Sequence, residues 1–159
     1  MKHFVAAGER RVGKGEGMLT VLGVGSCVIV VIYDYSSRVG GLAHILLPDP
    51  SYNEVAARRW RYASTAIPAL IDEVISAGAT RGELEARLVG GASMFRELLP
   101  KDEPNIGERN VATARTVLRA SGIPVVGEDV GGDYGRSVFF RLSDGRLRVA
   151  SHGREHVEI

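Results

Sequence analysis

The sequence predicts one mixed α/β domain of 159 residues, a sheet or pair of sheets flanked by helices. Three observations point there. Short β-branched runs come as hairpin-like pairs near both ends of the chain. Two stretches between them carry apolar residues at helical spacing. Finally, the 20 glycines cluster at 13–25, 40–41, 90–91 and 127–135, between the predicted elements, where tight loops need them. Hairpins mixed with helices fit this class better than alternating βαβ units.

The elements follow in chain order. Residues 2–7 read as a short strand. Residues 26–33 and 38–47 are apolar and β-branched, separated by "DYSSR", which predicts a hairpin. From Val55 to Ala77, Ala63, Ala66, Ile67, Leu70, Ile71, Val74 and Ile75 follow helical spacing, and Pro68 predicts a kink or broken start. "EARLVGGA" reads as a strand running into a Gly-Gly turn, and "SMFRELL" as a short helix. "IGERNVATARTVLRASG" is an amphipathic helix ended by Gly122, with Glu108 suited to the positive end of its dipole. "IPVVGEDV" is a strand, "RSVFFRLSDGRLRVAS" a hairpin turning at Asp144-Gly145, and a flexible tail is expected from about residue 151.

Bulk properties narrow the function. Apolar content of 45% and charged content of 25% suit a soluble globular chain, and a net charge of +1 argues against broad contact with nucleic acid. One cysteine excludes an internal disulfide. Charges interrupt the N-terminal residues too early for a secretory signal, and no apolar run nears the ~18 residues of a membrane span, so a cytoplasmic protein without membrane insertion is expected.

That cysteine, Cys27, stands between a glycine-rich turn and an apolar strand in "TVLGVGSCVIVVIYD". If Tyr35-Ser36 form a two-residue turn, Cys27 lies directly opposite His44 on the same face of the hairpin. An imidazole there can take the thiol proton, and N–H groups near Ser26 and Cys27 could face an oxyanion. Taken singly, each residue is more often structural: a small buried hydrophobe, or a satisfied core histidine. Other motifs are weaker. "GVGS" lacks the lysine, the third glycine and the following helix of a phosphate loop. "HGREH" at 152–156 has a zinc-peptidase spacing but no long helix to present it, and reads as solvated tail.

"LGVGSCVIVVIYD", "GGLAHILLP", "RYASTAIPALIDE", "LVGGASMF", "NIGERNV" and "EDVGGDYGRSVFF" occur in an order and spacing that resembles the CheD family, the chemoreceptor glutamine deamidases of bacterial and archaeal chemotaxis. The resemblance runs from about Val5 to Val149. It implies a four-layer α/β/β/α arrangement of mixed β-sheets, an α+β fold. It also implies Cys27 as nucleophile, His44 as base, and hydrolysis of glutamine carboxamides on receptor cytoplasmic helices without metal or organic cofactor.

The same resemblance implies a second partner, a CheC-type phosphatase. A docking rim is expected at Gly90, Gly91, Met94, Phe95, Gly131, Gly132 and Tyr134. A non-catalytic regulator of that phosphatase, or a thiol-dependent receptor methylesterase, are the competing functions. In one respect the chain departs from the family. Its members often carry a catalytic threonine six residues before the cysteine, where this chain has Val21, with Thr20 alongside. Strand alternation turns Thr20 and Val21 to opposite faces. The third role then falls either to Thr20 through a bulge, or to a backbone carbonyl, with that of Val21 the candidate.

Overall fold

A computed structural model describes residues 1–50, 56–94 and 105–159. The strands are β1 (Lys2–Phe4), β2 (Arg10–Lys14), β3 (Met18–Val24), β4 (Val28–Asp34), β5 (Val39–Ile45), β6 (Leu84–Gly90), β7 (Val125–Val130), β8 (Arg136–Arg141), β9 (Leu147–Ala150) and β10 (Val157–Glu158). Two helices, α1 (Ala63–Ser76) and α2 (Ile106–Ala120), complete the regular structure. The strands make two five-stranded mixed sheets, ordered β1-β3-β8-β9-β10 and β2-β5-β4-β6-β7. In each, one parallel pair (β1 with β3, β6 with β7) joins antiparallel neighbours.

β4 and β5 are buried along their whole length because both faces of their sheet are covered. Val28, Val30, Ile32, Val39, Ala43 and Ile45 pack under Ala66, Ile67, Leu70 and Val74 of α1 and Val111, Ala114 and Leu118 of α2. The alternate residues Ile29, Val31, Tyr33 and Leu42 face the other sheet and meet Leu19, Val21, Val138 and Phe140. Tyr33 can enter that apolar layer because its hydroxyl donates to the Leu142 carbonyl at 2.6 Å. The α+β class with two mixed sheets is as expected, but both described helices lie on one sheet. The described residues therefore stack α/β/β, without the second helical layer that the family resemblance implied.

Several local expectations change. The glycine cluster at 13–25, read as loop, carries β2 and β3. The broken start expected near Pro68 falls earlier: a 3₁₀ turn over Ala56–Arg61 ends at Tyr62, and α1 runs through Pro68. For α2, Asn105 caps the first turn by accepting from the Glu108 N–H at 2.9 Å, and donates its own amide to Glu108 at 3.1 Å. Of the short helix expected at "SMFRELL", the segment from Phe95 on lies outside the described residues.

The chain end is also tied down rather than free. β10 pairs antiparallel with β9, the Ile159 N–H donates to Leu147 at 3.1 Å, and Arg87 donates to the Ile159 carbonyl at 2.9 Å. His156 meets Arg148 at 2.7 Å, and no helix presents His152 and His156 together.

Candidate active site

β4 and β5 do form the predicted hairpin, with a longer turn and a different register. Four residues, 35–38, connect them instead of two, and Ile29 rather than Cys27 stands opposite His44. Asp34 builds this loop. Its Oδ1 accepts from the Ser36 N–H at 2.9 Å, the Ser36 hydroxyl at 2.7 Å and the Ser37 N–H at 3.3 Å, while Oδ2 accepts from Thr80. Burial alone would raise this carboxyl, but those donors hold it well below the usual carboxylate range. The register differs from the expected one by two residues. Two is the side-chain period of a strand, so Cys27 and His44 still share the face toward the second sheet, diagonally rather than directly opposed.

Cys27 is half-buried at the mouth of β4, packed against the inter-sheet core. The end of β6 holds its loop: Gly91 N–H donates to the Cys27 carbonyl at 2.7 Å, and Ala92 N–H to Gly25 at 3.0 Å. Gly90, at φ +107°, has to be glycine, since a Cβ there would strike the Cys27 carbonyl oxygen and come within 2.7 Å of Val24. Burial pushes the thiol above its ordinary range, and the residue's own N–H, directed at the sulfur, partly opposes this. Among the described residues the Ser26 and Cys27 N–H groups meet no backbone acceptor. "GVGS" runs into a strand, which removes the helix a phosphate loop requires.

His44 is 8% exposed. Its Nδ1 lies 3.1 Å from the carbonyl oxygen of Val5, which accepts the Nδ1–H and leaves Nε2 with its lone pair. Burial lowers the imidazole below its ordinary value, against the opposing pull of the Val5 carbonyl and Glu9. Burial thus favours the uncharged forms of both groups, a thiol and a neutral imidazole on the same face of the hairpin.

A backbone carbonyl therefore does contact the ring, but it belongs to Val5 and not to Val21. Residues 5–9 cross from one sheet to the other alongside His44, whose own N–H and C=O pair with Glu9 at 3.0 Å and Gly8 at 2.8 Å. Val5 N–H is fixed in turn by the Thr20 carbonyl at 2.9 Å. Val21 points its side chain into the inter-sheet core. Thr20, its neighbour in an unbroken register with β8, points the other way, paired with Phe4 and Phe139. The bulge in β3 falls after Val21, too late to turn Thr20 round.

The Thr20 hydroxyl is buried without a hydrogen-bond partner. Thr20→Val should accordingly leave kcat within about threefold of wild type and should not lower the melting temperature, because an unsatisfied hydroxyl is removed at constant shape. A tenfold loss of kcat with an unchanged melt would show that the hydroxyl acts on His44.

The expected rim divides. Gly90 and Gly91 are buried and shape the site from behind, so they offer no docking surface. Gly131 and Gly132 are tied to the same strand end, Gly131 N–H to Gly90 and Ser93 N–H to the Gly132 carbonyl, each at 2.9 Å. Tyr134 lies between the guanidinium groups of Arg136 (4.3 Å) and Arg154 (3.8 Å), while Met94, 47% exposed, borders Gly25. Phe95 lies outside the described residues. Sequence reasoning missed Val5, since a main-chain carbonyl carries no residue signature.

A family model described as CheD chemotactic sensory transduction matches residues 46–151 of the chain. The chain is 42% identical over 155 residues to the probable chemoreceptor glutamine deamidase CheD of Caldanaerobacter subterraneus subsp. tengcongensis, covering 96% of each chain. It is 43% identical over 145 residues to the protein of that name from Pyrococcus abyssi, covering 91% of this chain and 88% of that one. To the one from Moorella thermoacetica it is 42% identical over 156 residues, covering 94% and 90%. Cys27 and His44 precede the span of the family model, but an alignment over 96% of the chain necessarily includes both positions.

Proposed function

Because the chain belongs to the CheD family of chemotactic sensory transduction proteins, we propose that it hydrolyses glutamine side chains of chemoreceptors to glutamate and ammonia, with Cys27 as nucleophile and His44 as base. The observation that carries this reading is the Val5 carbonyl on His44 Nδ1, which leaves Nε2 as the basic nitrogen on the face shared with Cys27. His44 takes the thiol proton as the sulfur attacks the carboxamide carbon. The resulting oxyanion forms beside the Ser26 and Cys27 N–H groups. Collapse breaks the C–N bond, and the imidazolium gives its proton to the departing ammonia. Water, deprotonated by His44, then attacks the thioester, releasing glutamate and restoring the thiol. Every proton moved is supplied and recovered by the Cys–His pair and water.

The rim left exposed beside the Cys27 loop, Met94, Gly132 and Tyr134, would receive the receptor helix. A CheC-type phosphatase would contact the same entrance. Acting on receptor cytoplasmic helices places the protein in the cytoplasm; among the described residues no helix is long and apolar enough to cross a membrane. Intact-mass analysis of a receptor cytoplasmic fragment after incubation tests the reaction. Deamidation adds about one dalton per site, whereas a methylesterase would remove about fourteen. Loss of fourteen with no gain of one would replace the amidase by the esterase, and no change in mass would remove both.

A further inference from the structure

We propose that Asn110 is a positioning residue that sets the placement of Cys27 relative to His44. This rests on the reading of those two residues as nucleophile and base. Asn110 lies on the buried stripe of α2 and has no exposed surface. Its Nδ2 donates to the Ser26 carbonyl and to the Leu46 carbonyl, both at 2.9 Å. Ser26 immediately precedes Cys27, and Leu46 follows His44 by two residues. One amide therefore joins the loop that delivers the nucleophile to the segment that carries the base away.

The location explains why such a clamp is needed. The β4–β5 ladder ends at the pair Val28 and Ile45, one step short of Cys27. Beyond it the chains part: Cys27 turns to Gly91, and the N–H groups of Leu46 and Leu47 both turn to the Arg61 carbonyl at 3.0 Å. His44 lies inside the ladder opposite Ile29, whereas Cys27 lies past its last pair, where no ladder bond ties its loop to the chain leaving His44. Asn110 bridges that gap with the two hydrogens of a single uncharged group. The amide cannot be reversed, because its oxygen would then face two carbonyl oxygens. As oriented, Oδ1 is buried without a partner, an unmet cost at a fixed position.

Gly107, one turn earlier, lets α2 come close enough for this reach. A Cβ on Gly107 would strike the Ala92 carbonyl oxygen and come within 2.6 Å of that of Gly91.

The test compares wild type with Asn110→Ala and with the near-isosteric Asn110→Leu, which keeps the branched shape of the amide and has no hydrogens to donate. Both are expected to lower kcat for receptor deamidation at least about tenfold while KM stays within about twofold. Both should also shift the pH profile of Cys27 alkylation by iodoacetamide toward that of His44→Ala. A role in stability alone would lower the melting temperature yet leave kcat and the profile unchanged well below the melt, and that result would overturn the proposal. Should wild type show no deamidation, the functional reading falls, and the alkylation profiles alone still decide the clamp. If neither variant folds, the wild-type protein decides. The Nδ2 protons of Asn110 should then exchange with solvent at least about tenfold more slowly than those of Asn105, and equal exchange overturns the clamp.

Discussion

Cys27→Ala is expected to lower receptor deamidation by at least about 10⁴-fold, with the fold intact. No other thiol exists in the chain to take over the attack. Water alone would have to attack an unactivated amide, since backbone N–H groups that stabilise an oxyanion supply no nucleophile. The structural cost is small. Cys27 is half-buried at a strand entrance, and its loop is held through main-chain carbonyls that alanine retains. Its melting temperature should move by a few degrees at most. An intact-mass time course on a receptor fragment, run beside a thermal melt, reads both effects. Substantial deamidation by the purified, folded variant would move the chemistry away from this site.

His44→Ala should cost about 10²–10⁴-fold in kcat, the range removed when a positioned general base is lost. The pH dependence makes the expectation sharper. Burial lowers the His44 imidazole, so it stays neutral, and able to accept a proton, below the ordinary value of about 6.5. The acid limb of kcat/KM should therefore have its midpoint below about pH 6.5, with activity lost as pH falls through it. Burial moves the Cys27 thiol in the opposite direction. Without the histidine, alkylation by iodoacetamide must await spontaneous ionisation, so its limb should move above about pH 8.5 and the rate at pH 7 should drop. Superimposable alkylation profiles for wild type and His44→Ala across about pH 6–9 would break the pairing of these residues.

The shared face of these two groups was legible in the sequence for a specific reason. A strand repeats every two residues, so an error of two in the register leaves every side chain on its proper face. The turn, judged as two residues, has four. Asp34 collects the Ser36 and Ser37 donors, and Arg38 takes a left-handed φ of +56°, an arrangement with no strong local signature. The same period showed that Thr20 and Val21 face opposite ways. Which of them faces inward depended on how the two sheets stack, and that is a long-range property. The glycines at 90–91 were visible as an excess, but their use could not be read locally. It comes from a carbonyl of the Cys27 loop passing against β6.

By itself, then, the sequence determined the class of fold, the hairpin that carries Cys27 and His44, the two helices and the family. All of these are written in side-chain type and short-range spacing, which the polymer expresses wherever it folds. Tertiary structure alone decided that Val5 orients the imidazole, that Asn110 spans the parted strands, that both described helices cover one sheet, and that the chain end docks as β10. These rest on backbone carbonyls and N–H groups brought together across 39 residues for Val5 and His44, and 84 for Asn110 and Ser26. Every residue carries the same main-chain carbonyl, so nothing in the sequence marks the one that will be used. Packing selects it.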